Sequence, residues 1–252
     1  MPIAVMLAGA FFEFQDGAVT GTLHWFQDVF SDPELRESFV NSLTVAVSSS
    51  VVATIVGLFA ALSLHRQRHR WSWLLESLSA TSLIFPEIVF ALSLLAWFFV
   101  LHLNLGLTTV IIAHVSFSLS YVMMTVSSRL ATLDGSLEDA ARDLGASEWR
   151  VLLSVVIPLL RPAILGGFIL SFLLSFDDFL ITYFVNGVGQ DTLPVKLYTA
   201  LKMGVSPKLN ALSSLMFLLT LFVLIFFFRS ASFRVLFEGD RGENGRQEKD
   251  NL

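Results

Sequence analysis

The stretch FVNSLTVAVSSSVVATIVGLFAALSL, residues Phe39 to Leu64, contains no charged residue. A helix needs about 20 consecutive apolar residues to cross the hydrocarbon core of a bilayer, and this stretch is longer than that. The composition of the chain agrees with this interpretation, because 54% of its 252 residues are hydrophobic and only 15% are charged. A soluble domain of this length needs more charge to cover its surface. The sequence therefore predicts an all-α protein with several membrane-spanning helices.

Four further apolar runs are long enough to span a bilayer. They lie at residues 71–101, 103–128, 162–185 and 209–228. The first of these carries Glu76 and Glu87, the second has His114 as its only ionisable residue, and the third holds the adjacent pair Asp177 and Asp178.

The N-terminal stretch MPIAVMLAGAFF is apolar but short, since 12 residues of helix measure only ~18 Å. Two interpretations are open: a short buried or interfacial segment, or the end of a helix that begins upstream of Met1. About six transmembrane helices are expected in total, the first of them short or truncated. Residues 1–228 are predicted to form the transmembrane domain, and residues 229–252 a polar cytoplasmic tail.

The distribution of Lys and Arg predicts the orientation, because cytoplasmic loops carry an excess of these residues. One orientation places twelve of them inside and four outside. The outside four are Arg36, Lys196, Lys202 and Lys208. This orientation leaves one sizeable cytoplasmic loop, at residues 129–161.

That loop begins RLATLDGSLEDAARDLGASEWRVLLSVVIPLLRP and is expected to form two short helices. Ser136 is a good N-cap for the first helix, and Gly145 provides a turn after it. Ser147 is expected to cap the second helix, which Pro158 and a second proline four residues later should interrupt. From this pattern alone, an amphipathic connector lying on the membrane surface is an equally good interpretation.

The spacing within the loop resembles the EAA loop of bacterial ABC importer permeases. The family pattern is E-A-A, three residues, G, nine residues, and I-x-L-P. The residues at these places are Asp139, Ala140, Ala141, Gly145, Val155, Ile157 and Pro158. The chain departs from the pattern with Asp for Glu, Val for Ile and Ile for Leu. The resemblance implies a type I permease fold in which this loop is the coupling helix, seated in a cleft of an ATPase subunit.

Three longer stretches resemble the second permease subunit of spermidine/putrescine importers. They read SLEDAARDLGAS, LSFDDFLITYFVNG and TLPVKLYTALKMGVSPKLNAL. The resemblance implies a multi-pass protein of the bacterial inner membrane that works with two ATPase copies, a homologous second permease and an external binding protein. It implies no catalytic residues and no cofactor in this chain, and polyamines as the substrate.

The intramembrane carboxyls Glu87, Asp177 and Asp178 are the candidate substrate contacts, because such costly residues usually have a function. Neighbours on a helix point ~100° apart, so both aspartates can face one narrow path only if the helix is distorted there. Glu87 is expected at a similar depth. The alternative is that an aspartate pairs with backbone donors or with a partner subunit.

Aromatic residues near the aspartates are suited to a flexible chain of ammonium groups and methylenes, because aromatic faces attract cations. They are Phe176, Phe179, Tyr183 and Phe184.

Other functions find less support. No lysine follows a glycine, so the chain has no phosphate-binding G-K-[ST] loop, and without cysteines it has no thiolate metal site. Nothing predicts a metal or a nucleic-acid partner. A proton-coupled secondary transporter using the three carboxyls is disfavoured because neither inverted repeats nor discontinuous helices are evident. An intramembrane aspartyl enzyme needs two carboxyls on facing helices. The same permease role for another small substrate is the main alternative.

Overall fold

The computed structural model of the chain describes residues 2–15, 18–66, 77, 84–204 and 206–229. These residues belong to two compact units. The first unit comprises residues 1–49, 85–115 and 172–223, and the second comprises residues 50–84, 116–171 and 224–252.

The described chain is almost entirely helical. Its helices are α1 (Pro2–Phe11), α2 (His24–Ser31), α3 (Pro33–Arg66), α4 (Glu87–Val100), α5 (Leu107–Leu130), α6 (Ser136–Asp143), α7 (Glu148–Val151), α8 (Ile157–Phe176), α9 (Leu180–Val185), α10 (Leu193–Met203) and α11 (Pro207–Arg229). A π-helical turn, Leu152–Val156, joins α7 to α8. The departure from an all-α chain is a small antiparallel hairpin of β1 (Phe12–Gln15) and β2 (Ala18–Gly21).

Four helical segments of the described chain are long and apolar enough to cross a membrane. They are residues 33–65, 107–130, 148–176 and 207–227. The apolar runs predicted at residues 39–64 and 209–228 are therefore confirmed as helices, and the run at 103–128 is helical from Leu107 onward. The run at 71–101 contains α4, an apolar helix of 14 residues, whereas most of residues 71–83 lie outside the described residues. The expected number of six helices stays a prediction, as does the polar tail.

The sequence predicted one continuous apolar span at residues 162–185. The structure instead has two helices there. Helix α8 ends at Phe176 and α9 begins at Leu180, so Asp177 and Asp178 lie in a break between them. The absence of discontinuous helices was one argument against a secondary transporter, and this argument is wrong. The physical cause of the break is the capping of α9 by Asp178, described below.

The first unit has an apolar core formed by α1, α2, the start of α3, α10 and α11. Its buried residues include Ala10, Val29, Leu35, Leu193, Leu212 and Met216. Side chains near the start of α3 also hold the chain that leads into α10. The Asn41 amide donates to the Asp191 carbonyl (3.1 Å), and the Leu193 amide donates to the Ser42 hydroxyl (2.8 Å).

The second unit has its core where α3, α5 and the π-helical turn meet. The buried residues are Ala53, Leu58, Ala61, Leu62, Val122, Val126, Leu130, Val151, Leu152, Val156 and Leu160. Gly57 allows α3 to approach α5 closely, because a Cβ atom there would lie 2.9 Å from the Cβ of Val122. Small residues at such contacts are typical of membrane helices.

The loop at residues 129–161 forms the two predicted helices, α6 and α7, with two differences. Ser136 is the first residue of α6 rather than its cap, and its amide donates to the Asp134 carboxylate (2.9 Å). Pro162 lies inside α8 and does not interrupt it. Pro158 is the second residue of α8, where its missing N–H needs no helical acceptor, and the irregular turn comes before it instead.

Candidate substrate site and coupling loop

The two aspartates in the break between α8 and α9 have different environments. Asp178 is only 9% exposed, whereas Asp177 is exposed. Among the described residues, Asp177 has no side-chain hydrogen bond or ion pair. The sequence argument required a distorted helix if both aspartates were to serve one site. The distortion exists, and it directs one carboxylate inward and leaves the other accessible.

Asp178 caps α9. Its Oδ1 accepts a hydrogen bond from the amide of Ile181 (3.3 Å), and its Oδ2 accepts from the amide of Thr182 (2.9 Å) and the Thr182 hydroxyl (2.8 Å). A carboxylate that accepts from the first free amides of a helix stabilises that helix end. For Asp178, the structure therefore matches the alternative of pairing with backbone donors.

His114 is the main partner of Asp178 from outside its own segment. This histidine is 2% exposed, and its Nε2 lies 3.1 Å from Asp178 Oδ2 and 3.0 Å from Thr182 Oγ1. Its Nδ1 lies 2.6 Å from the Ser175 hydroxyl, which lies 2.9 Å from the Ser49 hydroxyl. Sequence reasoning missed this role. The available signal was that His114 is the only ionisable residue in an apolar run.

The hydroxyls beside His114 satisfy both nitrogens of its ring. With a proton on Nε2, the ring donates to Asp178, and Nδ1 accepts from Ser175. With a second proton on Nδ1, the ring donates to Ser175, and the chain of donors continues through Ser49 to the Ala46 carbonyl (3.3 Å). The network therefore accommodates a neutral or a charged histidine without leaving a ring nitrogen unpaired.

Glu87 joins this group from α4. It is exposed at the first position of the helix, directly after Pro86, and its carboxyl is within hydrogen-bonding reach of Asp178. A hydrogen bond between two carboxyl groups needs a proton on one of them. The structure thus brings two of the three predicted carboxyls, Glu87 and Asp178, close together.

Two of the four aromatic candidates, Phe176 and Tyr183, have different surroundings. Phe176 is buried against Phe39 and Phe172, with ring centroids 6.4 and 5.9 Å apart. Tyr183 is 45% exposed and packs beside Phe179. Of these two candidates, only Tyr183 presents open surface for a solute in this structure.

The three lysines predicted to lie outside the membrane each have a partner. Lys208 Nζ lies 2.7 Å from Asp32, and Lys196 Nζ lies 2.7 Å from Glu34. The hydrogen bond from Lys208 holds the pKa of Asp32 below its ordinary value, and the hydrogen bond to Glu34 raises the pKa of Lys196. Lys202 lies over aromatic rings, which are considered below.

Arg142 connects the two helices of the loop at residues 129–161. Its guanidinium donates to Glu138 (3.0 Å) and Asp139 (2.8 Å) on α6 and to Glu148 (2.8 Å) on α7. These contacts, first of all the hydrogen bond with Glu148, raise the pKa of Arg142. The loop is therefore a braced helix–turn–helix.

The turn between α6 and α7 depends on Gly145, which has φ +80°. The prediction that a glycine is needed there is confirmed, because other residues adopt this left-handed conformation at a cost. Ala141 and Ile157 pack against the core of the second unit, and Val155 and Pro158 are half-buried, whereas Asp139 and Ala140 are exposed.

The loop also presents large apolar side chains to its surroundings. Their exposed fractions are 50% for Leu137, 90% for Leu144, 70% for Trp149 and 61% for Leu153. Exposed apolar side chains grouped on one short segment are typical of a protein-binding surface. Among the described residues, no group of three or more His, Asp or Glu side chains is arranged to hold a metal ion.

Long apolar helices, a braced loop with an apolar surface and carboxyls at a helix break together define a transport permease. Comparison with known proteins makes this class specific. Residues 53–238 match the family of binding-protein-dependent transport system inner membrane components. The chain belongs to this family, the permease subunits of ABC importers, and is a multi-pass protein of the inner membrane. The resemblance found in the loop sequence is thereby confirmed.

Several sequence relatives are polyamine permeases. The chain is 38% identical over 202 residues to the spermidine/putrescine permease PotC of Haemophilus influenzae, covering 80% of this chain and 79% of the relative. It is 36% identical over 227 residues to PotC of Escherichia coli K12, covering 89% and 86%. It is 37% identical over 198 residues to the putrescine permease PotI of the same strain, covering 76% and 70%.

Solved structures with the same fold are ABC transporters. A bacterial importer of the acidic polysaccharide alginate has a TM-score of 0.64 at 18% identity, over 89% of this chain and 86% of the other. The methionine transporter MetNI in an inward-facing conformation has a TM-score of 0.65 at 14% identity, over 76% and 92%. At these identities the likeness shows the fold alone. The family decides against the secondary transporter, because its members are components of binding-protein-dependent transport systems.

Proposed function

We propose that this chain translocates polyamines, of the spermidine and putrescine class, as one permease subunit of an ATP-driven importer. The observation that carries the proposal is the 36–38% identity to polyamine permeases over most of the chain. The exposed carboxyls of Asp177 at the α8–α9 break and of Glu87 on α4 support it, because an importer of ammonium groups needs negative charge on its path and an importer of anions does not.

The three carboxyls have different roles in this proposal. Asp177 contacts the substrate, since it is exposed and has no hydrogen-bonding partner among the described side chains. Asp178 is a positioning residue, since its oxygens are committed to α9 and His114. Glu87 is accessible at the start of α4 and provides a second carboxyl for the substrate.

The proposed assembly consists of this chain, a homologous second permease, two ATPase copies and an external binding protein. ATP hydrolysis takes place in the ATPase subunits, and this chain has no catalytic residues. The apolar surface formed by Leu137, Leu144, Trp149 and Leu153 supports an ATPase contact at the loop. ATPase closure would reach the permease through α6 and α7, which Arg142 holds together.

Uptake by the reconstituted complex tests the substrate and the role of Asp177. Proteoliposomes containing the complete complex and external binding protein should accumulate radiolabelled spermidine when ATP is inside. Asp177→Asn should lower the uptake rate about tenfold or more, because a charge-assisted contact contributes ~1.5–3 kcal/mol. Asp177→Asn should leave the assembly of the complex unchanged.

Glu37→Gln is the matched control, since Glu37 is an exposed carboxylate on α3 with no place in the proposed site. Its uptake rate should equal that of the wild type. A wild-type complex that moves no spermidine would overturn the polyamine assignment. Normal uptake by Asp177→Asn would leave the assignment standing but remove Asp177 from the path.

A further inference from the structure

Three aromatic rings form a cluster beside the α8–α9 break. Phe179 lies in the break itself, Tyr183 on α9 and Tyr198 on α10. The ring centroids of Phe179 and Tyr198 are 4.3 Å apart, those of Phe179 and Tyr183 are 5.3 Å apart, and those of the two tyrosines are 5.9 Å apart. The two tyrosine rings stand at 75° to each other, so they form two walls of a corner.

A cation already occupies this corner. The Lys202 ammonium lies 4.5 Å from the centroid of Tyr198 and 5.8 Å from that of Tyr183. Both distances are within the range of cation–π attraction. Lys202 is four residues after Tyr198 on the same helix, which explains the first contact. The second contact joins two different helices and depends on the tertiary fold.

Lys202 differs from the other two lysines outside the membrane. Lys196 and Lys208 each form an ion pair with a carboxylate, whereas Lys202 forms no ion pair within the described part of the chain. Its partners are the faces of aromatic rings, which hold an ammonium group more weakly than a carboxylate does. Another ammonium group of suitable reach can therefore displace it.

We infer that Phe179, Tyr183 and Tyr198 form a binding site for an alkylammonium group of the substrate, and that Lys202 occupies this site until the substrate displaces it. The inference rests on the proposed function, since it assigns a second contact to the same substrate. Phe179 directly follows Asp177 and Asp178 in the chain, so the aromatic site adjoins the carboxyl site. A polyamine carries several ammonium groups on aliphatic spacers, and the two sites bind different ones. Exchange of one ammonium for another leaves the charge of the site unchanged.

Equilibrium binding of radiolabelled spermidine to the complete complex in nanodiscs, without binding protein, tests this inference. Lys202→Met keeps the aliphatic stem and removes the competing charge, so it should lower the half-saturating concentration about two- to tenfold. Tyr198→Leu removes an aromatic ring from the site and should raise the half-saturating concentration by a similar factor. Tyr198→Phe keeps the ring and should bind spermidine much better than Tyr198→Leu does.

The opposite signs of the effects at Lys202 and Tyr198 separate a binding role from a structural one, since damage to the fold weakens binding in both variants. A half-saturating concentration for Lys202→Met equal to or above that of the wild type would overturn the inference and make Lys202 an interfacial lysine. Equally weak binding by Tyr198→Phe and Tyr198→Leu would overturn it too, since the hydroxyl and not the ring would then matter. A wild-type complex that neither binds nor transports spermidine would instead reject the proposed function, and this site with it.

Discussion

Asp178 is a buried carboxylate whose oxygens all have partners. The amides of Ile181 and Thr182, the Thr182 hydroxyl and His114 surround it, and Glu87 approaches it from α4. An unpaired charge in such a place is strongly unfavourable, whereas a hydrogen-bonded one is tolerated. The partner from outside its own segment that offsets the free-energy cost of burying Asp178 is therefore His114, 64 positions earlier in the chain.

Replacement of His114 should destabilise the protein. His114→Leu leaves Asp178 and Ser175 without their shared partner, and removal of one member of a buried pair costs ~3–5 kcal/mol. We expect a clearly lower thermal unfolding temperature of the purified complex. His114→Gln retains hydrogen-bonding groups on both sides and should recover part of the loss.

The matched control for this prediction is His24→Gln. His24 forms an exposed pair with Asp28, 3.2 Å apart, and such surface pairs contribute ~0–1 kcal/mol. An unfolding temperature for His114→Leu as high as that of the control would show that Asp178 does not depend on this histidine.

Among the elements of the fold, the helices of the loop at residues 129–161 were predicted best and the α8–α9 break worst. The loop is determined locally, because Gly145 sets the turn and the pattern of small and apolar residues sets the helices. The prediction of Ser136 as the N-cap of α6 was wrong for a local reason as well, since the Asp134 carboxylate accepts from the Ser136 amide at this helix end. The break depends on His114 and Thr182, which meet Asp178 only in the folded chain. No sequence pattern within residues 162–185 indicates that His114 and Thr182 contact Asp178.

The turn of the coupling loop can be tested at Gly145. Gly145→Val forces a β-branched residue into a left-handed conformation, at a cost of more than ~1–2 kcal/mol, and should misplace α6 relative to α7. We expect ATP-driven spermidine uptake to fall to background while the complex still assembles in the membrane. Gly135→Ala is the control, because Gly135 has an ordinary helical φ of −62° and open space around it. Normal uptake by Gly145→Val would contradict a coupling role for the loop.

The junction of α2 and α3 depends on one carboxylate with two roles. Asp32 Oδ1 accepts from the amides of Glu34 (3.0 Å) and Leu35 (3.3 Å) at the start of α3, and Oδ2 accepts from Lys208 (2.7 Å). The pKa of Asp32 is lowered by these contacts, first by the Lys208 hydrogen bond. The stabilisation is therefore present above the unfolded pKa of ~3.9 and is lost as the pH falls through the lower folded value.

Lys208→Met should lower the thermal unfolding temperature slightly at pH 7, and the difference from the wild type should shrink as the pH falls below the unfolded pKa of ~3.9 towards pH 3. Thermal unfolding of the wild type and the variant in detergent across this pH range measures the difference in unfolding temperature. A difference that is the same at pH 7 and pH 3 would show that the charge of Asp32 is not involved.

At the scale of the whole chain, many large apolar side chains of the long helices are exposed. On α3 they include Val51, Ile55 and Phe59, and on α11 they include Phe222, Ile225 and Phe226. The apolar runs in the sequence predicted these helices, because crossing a bilayer requires length and composition alone. Periodicity did not predict which faces pack together, because a helix that is apolar all round carries no amphipathic stripe.

These exposed apolar faces need lipid or a second helix bundle to cover them. We expect this chain to purify as part of a complex with two different permease subunits and two ATPase copies, as measured by native mass spectrometry. An active transporter with this chain as its sole membrane subunit would contradict the heteromeric assembly.

The break after α8 also affects how the ribosome-bound chain enters the bilayer. Helix α8 belongs to a helical segment of 29 residues, 148–176, that is long and apolar enough to cross the membrane and ends directly before the break. The insertion machinery can therefore accept it as a complete segment before the aspartates emerge. A carboxylate at the centre of an inserting helix costs ~2.5–3.5 kcal/mol. Because Asp177 and Asp178 follow the helix instead of interrupting it, biosynthesis of this segment avoids that cost.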